Sequence, residues 1–205
     1  MMAPGSQSGD HGSMALPWDF HPIDGERVRL ELLRTDDFEA LYELQSDPEV
    51  CRYLLFEPRS REEVAAVIER DAPKARLEKV GDYIQPAIRA RDPEGALIGT
   101  MYLHLSSVDD RTAEIGWLVG PAFQGQGYAR ECARLLLDLS FGELGLHRVY
   151  AELDPRNAAS VGVCKSLGMR HEANFVEHMW LKGEWTDTGH YAILEREWRV
   201  EPALA

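Results

Sequence analysis

The sequence predicts a mixed α/β domain built around one β-sheet. Segments in which apolar and polar residues alternate are separated by segments whose apolar residues recur at helical spacing. The predicted order is strand, two helices, three strands, helix, strand, helix and two strands, which indicates a sheet packed against helices. Hydrophobic residues make up 44% of the 205 residues, enough for one packed core.

The first strand and two helices occupy the first third of the chain. Residues 27–33 (RVRLELL) alternate apolar and polar side chains and predict a strand. Residues 36–45 carry apolar residues on one stripe and predict a helix. A second helix is predicted over 61–71, because Ser60 and Glu63 have the spacing of a capping box.

Three strands follow. Residues 83–91 predict a strand in which Pro86 indicates an edge position or a bulge. The turn sequence of residues 92–95 (DPEG) joins it to a strand over 96–105, so the two form a hairpin. Residues 112–120 (TAEIGWLVG) predict the next strand.

The second half alternates helices and strands. The strand–helix–strand crossover through its long helix should be parallel and right-handed. The predicted elements are a helix over 128–144, a strand over 147–154, a helix over 158–168, and strands over 171–183 and 190–198 joined by residues 184–189.

The amino terminus has a different composition from the rest. Residues 1–16 are rich in Gly, Ser, Pro and Met and cannot bury enough apolar surface to offset the entropy of ordering. We therefore expect a disordered tail over 1–20 and a domain over 21–200. The start lacks the basic and apolar regions of a signal peptide, and no apolar run approaches the roughly 20 residues that span a bilayer. We expect a cytoplasmic protein without membrane contact.

Charge and cysteines exclude some classes of function. The 35 acidic and 22 basic residues give a net charge of -13, which repels nucleic-acid phosphates. The same field mildly favours cationic substrates such as amines, although solubility alone is the better explanation of the charge. Cys51, Cys132 and Cys164 show no C-x-x-C spacing, so we expect neither a disulfide framework nor a zinc site, and no metal.

The segment Gln124–Ala129 (QGQGYA) carries the strongest chemical signal. It lies between an apolar strand and a long helix, and its two glycines permit conformations in which successive N–H groups converge on one anion. A helix amino terminus adds a favourable dipole, so a diphosphate would fit here. Arg130 departs from the dinucleotide pattern G-x-G-x-x-G, and no Gly-Lys-Ser/Thr of a P-loop follows. On the loop alone, phosphate binding and an ordinary turn both remain open.

This segment resembles the Gln/Arg-x-x-Gly-x-Gly/Ala signature of the GNAT acyltransferases. The flanking sequences AEIGW, GYARECARLLLDLSFGELGLHRVYAELDPRNAAS and LKGEW extend the resemblance over residues 25–198 and look like the RimJ/RimL-type branch. The resemblance implies a single GNAT-like domain with a mostly antiparallel sheet, a splayed parallel strand pair and helices on both faces.

The resemblance also implies acetyl-CoA as the donor and no metal. The pantetheine arm would lie against the backbone of the strand before the loop, and the pyrophosphate would bind the loop N–H groups. Asn157 matches a family asparagine on the pantetheine side and is also a suitable helix N-cap. The implied cofactor-binding residues are Trp117, Leu118, Val119, Gln124, Gly125, Gln126, Gly127, Tyr128, Ala129 and Asn157.

Three residues are candidates for the general base. Glu114 stands in the same A-E-I context as the base of histone-type family members, although a structural carboxylate is an equal alternative. Glu177 lies in the penultimate strand, where RimL-like enzymes place a base. The position that matches that base is Met179, and strand periodicity would give Glu177 the same side-chain direction. His104 is the third candidate, with surface or packing as its alternative.

Two residues are candidates for the general acid. Many family members use a tyrosine seven residues after the asparagine, and here that position is Cys164, more suited to packing. Ser160 matches the serine of RimL-like enzymes and could donate a hydrogen bond to the departing thiolate, with capping as its alternative.

The sequence therefore predicts an acetyl-CoA-dependent N-acetyltransferase. The acceptor would be a protein N-terminus or a small-molecule amine, attacking directly in a ternary complex. The alternative is a catalytically silent acetyl-CoA-binding sensor. No nucleic-acid partner is expected, and the resemblance leaves a homodimer open.

Overall fold

The computed structural model of the protein describes residues 13–91 and 95–198. Its strands are β1 (Trp18–Asp19), β2 (Ile23–Asp24), β3 (Val28–Glu31), β4 (Arg76–Leu77), β5 (Tyr83–Ile84), β6 (Ala87–Ala90), β7 (Leu97–Ser107), β8 (Thr112–Val119), β9 (Arg148–Leu153), β10 (Arg170–Leu181) and β11 (Glu184–Leu194). Its helices are α1 (Phe38–Ser46), α2 (Pro48–Cys51), α3 (Arg61–Asp71), α4 (Tyr128–Gly142), α5 (Ala158–Ser166) and α6 (Glu195–Trp198).

One sheet organises the fold. Its order is β10-β11-β9-β8-β7-β6-β3-β2, with β5 also paired to β7. All of its pairs are antiparallel except β8 and β9, which are parallel and are joined through α4. The predicted class, a mixed and mostly antiparallel sheet with one parallel pair, is confirmed.

Helices cover both faces of this sheet. Neighbouring residues of a strand point to opposite faces. In β6, Ile88 belongs to the core cluster that contains Leu136 of α4, whereas Ala87 belongs to the cluster that contains Leu41 of α1 and Val64 of α3. The two apolar clusters therefore lie on opposite sides of the sheet, and α4 backs the strands that carry the predicted site.

The predicted cap of α3 is confirmed. Ser60 caps α3, and Glu63 donates its backbone N–H to the Ser60 hydroxyl while its carboxylate accepts from the Ser60 N–H. The strand predicted over 83–91 is divided at Pro86 into β5 and β6, because proline cannot donate to a ladder. β6 pairs with both β3 and β7, so it is not an edge strand, and its register against β7 shifts between Ile88 and Arg89. Residues 92–94 of the predicted hairpin turn lie outside the described residues, but β6 and β7 pair antiparallel on either side of it.

The last hairpin differs from the prediction. Residues 184–189, predicted as a connection, form the first half of β11, and the turn lies at Lys182 and Gly183. Thr186 and Thr188 are buried at alternate positions, as in a strand with one covered face. Threonine suits such a pleated, half-buried surface, which explains why β11 begins at Glu184. Residues 195–198, predicted as strand, form α6.

The amino-terminal boundary also differs. Residues 1–12 of the predicted tail lie outside the described residues. Within residues 13–20, Trp18 is buried, pairs with Leu77 between β1 and β4, and donates from its indole Nε1 to Glu143 at 3.3 Å. Residues 13–20 therefore belong to the fold, because one large aromatic side chain anchors them.

The helices of the described residues are short relative to a bilayer. Across 13–91 and 95–198, none of them is long and apolar enough to cross a membrane. The three cysteines are buried free thiols.

Candidate functional site at the divergence of two parallel strands

The parallel strands β8 and β9 pair over the first part of β8 and then diverge. They pair only at Thr112 with Arg148, Ala113 with Val149, and Glu114 with Tyr150. Beyond Glu114 the two strands diverge, while β7 stays paired with β8 up to its end. The edge of β8 that faces β9 is therefore open, which is the splayed pair predicted from the resemblance.

A cavity of about 420 Å³ occupies this divergence. It brings together five of the predicted site residues. Glu114, Trp117 and Leu118 line it from β8, and Asn157 and Ser160 line it from the start of α5. Val119 and the Gln124–Ala129 loop lie beyond this lining, at the end of β8.

The loop has the conformation that its glycines permit. Gly125 and Gly127 adopt φ angles of 72° and 84°, a region that favours glycine. Gly127 is the N-cap of α4. In the part of the chain that the structure describes, no side chain caps this helix, and the N–H groups of Gly125–Arg130 meet no hydrogen-bond acceptor. Six adjacent donors at a helix amino terminus are an arrangement suited to an anion.

The two glutamines of the loop hold its shape with their side chains. Gln124 donates from Nε2 to the Val119 carbonyl at 2.9 Å, and Gln126 donates from Nε2 to the Ala122 carbonyl at 2.8 Å. These bonds tie the loop to the end of β8 and to the turn before it. The side chains are therefore committed to the protein, and the backbone N–H groups are what the loop offers to a ligand.

Arg27 is a loop-supporting residue that sequence reasoning missed. Its guanidinium donates to the Gln126 carbonyl and to the Glu131 carboxylate, both at 2.9 Å, and lies 4.6 Å from the centroid of the Tyr128 ring. It thus braces the loop from outside the cleft. No local sequence pattern predicts this role, since the partners of Arg27 lie about a hundred positions away in sequence.

Glu114 lies at the point where the strands diverge. Burial, and secondarily the nearby Glu152 carboxylate, raises the pKa of Glu114 to about 7. His104 lies beside it on β7, with its Nδ1 3.7 Å from the Glu114 carboxylate, and burial lowers the pKa of His104. Glu114 is thus a carboxyl group that ionises near neutral pH, as a base for an amine requires. His104 does not itself line the cavity.

The start of α5 presents a hydroxyl to the cavity. Asn157 caps the helix by accepting the Ser160 N–H at 3.1 Å, so its predicted capping role holds. The Ser160 Oγ accepts a hydrogen bond from the Trp117 Nε1 at 3.3 Å. An oxygen that accepts from the indole keeps its own O–H free to donate. Cys164 is fully buried away from the cavity, and burial raises its pKa to about 12, which suits a packing thiol.

Glu177 is not placed in the cavity. The register of β10 against β11 shifts between Phe175 and Met179, and Glu177 in this bulge has a φ of 50°. Its side chain is exposed, and its N–H donates to Asp187 at 2.9 Å. Met179 lines the cavity and Glu177 does not. The strand periodicity used to align the two side chains was wrong, because a bulge breaks it.

The cavity has a one-sided charge. Among the described residues that line it, the only charged ones are four carboxylates, Glu114, Glu152, Asp154 and Asp187. Tyr102 also lines it, and burial together with Glu114 raises the pKa of Tyr102 to about 12, so its phenol stays protonated. Tyr102 was not predicted as a site residue, and its proximity follows only from the β7–β8 register.

Comparison with known sequences places the chain in one family. A sequence profile described as "Acetyltransferase (GNAT) domain" matches residues 27–170. The uncharacterized N-acetyltransferase YnaD of Bacillus subtilis is 32% identical over 176 residues, covering 86% of this chain and 98% of that protein. The putative ribosomal N-acetyltransferase YdaF of the same organism is 28% identical, with coverages of 86% and 96%. A spermidine N(1)-acetyltransferase of Vibrio cholerae is 24% identical, with coverages of 84% and 95%.

Solved structures agree with these sequence matches. A GNAT-family acetyltransferase from Bacillus anthracis superposes with a TM-score of 0.76 at 30% identity, covering 86% of this chain and all (100%) of that one. A spermidine N-acetyltransferase from Vibrio cholerae, solved with CoA and spermine, superposes with a TM-score of 0.69 at 23% identity, covering 84% and 98%. The latter shows the same fold.

Proposed function

This chain belongs to the GNAT family of N-acetyltransferases, and on that premise we propose that it transfers the acetyl group of acetyl-CoA to a small cationic amine by direct attack in a ternary complex. One observation carries the proposal. Glu114, with a pKa of about 7, lies where β8 and β9 diverge, inside a cavity whose charged lining is acidic. A base at that place can deprotonate an amine held beside a thioester.

The donor would bind along β8 and the loop. The open edge at Trp117 and Leu118 suits the amides of a pantetheine arm, which would pair like an added strand. The N–H groups of Gly125–Arg130 suit a pyrophosphate. Because Gln124 already bonds the Val119 carbonyl, we assign Val119 and the glutamine side chains to shaping this surface.

Glu114 accepts a proton from the acceptor, and Ser160 stabilises the departing sulfur. An ammonium acceptor gives one proton to the Glu114 carboxylate, and its nitrogen then attacks the thioester carbonyl carbon. As the C–S bond breaks with its electron pair on sulfur, the second nitrogen proton neutralises that sulfur, and the Ser160 hydroxyl donates a hydrogen bond to it. Glu114 returns its proton to solvent, so one proton is released per amide formed. Placing both reactants in one cleft supplies much of the rate.

The charge of the cavity supports a cationic acceptor. Four carboxylates line it and no basic side chain does among the described residues. Asp154 is already paired with Arg156 at 2.7 Å, so Glu114, Glu152 and Asp187 supply the attraction that an ammonium ion gains on entry. A relative is named a spermidine acetyltransferase, and a polyamine fits this charge pattern. We therefore place small polyamines and monoamines ahead of neutral acceptors.

The second candidate acceptor is a protein N-terminus, as in RimJ/RimL-type enzymes. Ser160 stands three residues after Asn157, as in that branch, and a relative is named a putative ribosomal N-acetyltransferase. Met179 at the position of the RimL base weighs against it, because methionine cannot take a proton.

A homodimer stays a prediction. The β10–β11 hairpin exposes four large apolar side chains, which would suit an interface. They are Phe175, Val176, Trp180 and Trp185. Light scattering at low and high protein concentration, with Trp180→Ser as the altered surface, tests the assignment. A mass that stays at one chain throughout rejects it.

Thiol release tests the proposed reaction. The protein is incubated with acetyl-CoA and a panel of polyamines, monoamines and amino-terminal peptides, while thermal shift monitors acetyl-CoA alone. We expect acetyl-CoA to stabilise the fold and cationic small amines to release thiol. Preferential turnover of peptides would favour the second candidate. Stabilisation without turnover on every acceptor would favour the silent acetyl-CoA sensor.

A further inference from the structure

The turn between β10 and β11 contains an unusual residue. Leu181 pairs with Glu184, and the two residues between them, Lys182 and Gly183, have φ angles of 53° and 80°. Positive φ at both central positions is the pattern of a type I′ turn, whose first position favours Asn, Asp or Gly. Lysine is disfavoured there because its Cβ crowds the backbone. Arg111 and Glu177 also have positive φ angles, so the contacts of the Lys182 side chain, and not its backbone conformation, carry the argument that follows.

The side chain of Lys182 reaches across the cleft. Its ammonium donates to the Cys51 carbonyl and lies 3.5 Å from the Arg52 carbonyl, more than a hundred positions away in sequence. Cys51 ends the short helix α2. The Cys51 carbonyl also accepts the backbone N–H of Leu54 at 2.9 Å. The Lys182 ammonium therefore adds a charged donor to a carbonyl that already shapes the turn after α2.

These contacts join the two sides of the cavity mouth. The segment that follows Arg52, which we name the entrance loop (residues 53–56), lines the cavity on one side. Met179, Leu181 and Thr186 of the β10–β11 hairpin line it on the other. Lys182, at the turn of the β10–β11 hairpin, therefore hydrogen-bonds the backbone just before the entrance loop.

The far end of the entrance loop is fixed separately. Arg59 donates its backbone N–H to the Gln45 carbonyl at 2.8 Å and its guanidinium to the Gln45 Oε1 at 2.7 Å. The same guanidinium lies 3.7 Å from the centroid of the Phe56 ring. With this end held, the near end is restrained by the backbone hydrogen bond from Leu54 to Cys51 and by the Lys182 ammonium, which is the only one of the two that comes from the opposite wall.

We propose that Lys182 is a latch that closes the mouth of the acceptor cavity and sets the size of amine it admits. This inference rests on the proposed function for its effect on catalysis, but the latch itself does not. With the latch formed, the entrance loop and the hairpin tip confine the acceptor beside Glu114. With it broken, the loop opens, and bulkier amines enter.

Lys182→Asn separates the latch from the turn. Asparagine suits the turn position better than lysine, so the fold should be at least as stable, yet the ammonium is lost. Lys79→Asn removes a lysine from an exposed turn elsewhere and is the matched control. Lys182→Arg keeps the positive charge and should retain most of the latch.

The rate of limited proteolysis in the entrance loop tests the latch without any acceptor substrate. Chymotrypsin cleaves after aromatic and leucine side chains, and the entrance loop consists of Tyr53, Leu54, Leu55 and Phe56. We expect cleavage there to be about tenfold faster in Lys182→Asn than in the wild type, the size of one charged hydrogen bond partly exposed to water. Lys79→Asn should cleave at the wild-type rate. Equal cleavage in Lys182→Asn and the wild type would overturn the latch.

The selectivity between amines of different bulk tests the effect of the latch on catalysis. Propylamine, benzylamine and naphthylmethylamine carry the same charge and differ in bulk. We expect Lys182→Asn to raise the kcat/KM ratio of the bulkiest to the smallest amine about tenfold, at both low and high salt. A change confined to low salt would mean that only the charge mattered, and an unchanged ratio would reject the selectivity role. If the wild type acetylates no amine, the proposed function fails, while proteolysis still decides the latch.

Discussion

The loop to which we assign the donor and the cavity to which we assign the acceptor differ in the polar groups that they present. The donor loop, Gln124–Ala129, offers backbone N–H groups at a helix amino terminus, and these attract anions. The acceptor cavity offers carboxylates from β8, β9 and β11, and these attract cations. Glu114 stands between the two, where the strands diverge. One cleft can therefore hold an anionic donor and a cationic acceptor without either occupying the other's place.

The two regions also differ in how the chain builds them. The donor loop belongs to one continuous segment from β8 to α4, whose conformation follows from local residues. The mouth of the acceptor cavity joins the entrance loop to the β10–β11 hairpin through a contact 131 residues apart in sequence. Changes at the boundary between the regions should have the largest effects on activity, and changes within one region smaller ones.

Removing the base at that boundary should give the largest loss. Glu114→Gln keeps the shape of the side chain but cannot accept a proton. We expect kcat/KM to fall by about 10²–10⁴-fold, the usual contribution of a general base. Acetyl-CoA affinity, followed by thermal shift, should stay at the wild-type value because the donor loop is untouched. A variant that retains wild-type kcat/KM would remove Glu114 from the mechanism.

The pH dependence of the rate should show the same group. A base acts only when ionised, and the pKa of Glu114 is about 7. Below that pH, kcat/KM should fall about tenfold per pH unit, so that a two-unit drop costs about a hundredfold. An acid limb centred instead near the ordinary glutamate pKa would mean that burial does not control this carboxyl group.

Glu114 should also cost the protein stability. Its pKa is raised from 4.5 to about 7 in the folded state, so the folded protein binds the proton more tightly than the unfolded chain. The free energy of unfolding therefore decreases as pH rises through this window and is lowest, for this group, above it. We expect Glu114→Gln to be more stable than the wild type by about 1–3 kcal/mol near pH 8 and equal to it near pH 4. Urea unfolding at both pH values measures the difference, and a less stable variant near pH 8 would contradict it.

The contrast between the two regions explains what could be predicted from sequence. The glycines of the donor loop, the Ser60 cap of α3 and the parallel crossover through α4 depend on residues close in sequence, and they were predicted. Glu177 was aligned with Met179 by strand periodicity, and a bulge that only the pairing of β10 with β11 creates removes it from the cavity. Trp18 anchors residues assigned to a tail through a strand pair with Leu77.

The contacts that support the site from other parts of the chain could not be predicted from the sequence. Arg27 and Lys182 act through backbone carbonyl oxygens 99 and 131 positions away. Every residue has a backbone carbonyl, so the sequence does not indicate which one a distant side chain will contact. The pKa of Glu114 likewise depends on burial and on Glu152 of a different strand. Sequence supplied the residue type and its strand, but the shift needed the assembled sheet.

The smallest expected effect tests the donor loop alone, through two glycines at opposite ends of α4. Gly127 has a φ of 84°, so the Cβ of Gly127→Ala would strain the backbone by about 1–2 kcal/mol. Gly142 lies in the last turn of the helix, where an added Cβ meets nothing within 4 Å. Gly142→Ala should therefore stabilise the helix by about 0.5–1 kcal/mol, since alanine is the better helix former.

The two alanine variants should diverge in acetyl-CoA binding. Strain at Gly127 disturbs the N–H groups that face the pyrophosphate, so we expect Gly127→Ala to bind acetyl-CoA about tenfold more weakly, measured by calorimetry. Gly142→Ala should bind it like the wild type. Because both variants keep Glu114 and Ser160, kcat at saturating acetyl-CoA should change little in either. Weaker binding in both would point to the helix as a whole, and equal binding in both would mean that the donor loop does not hold the pyrophosphate.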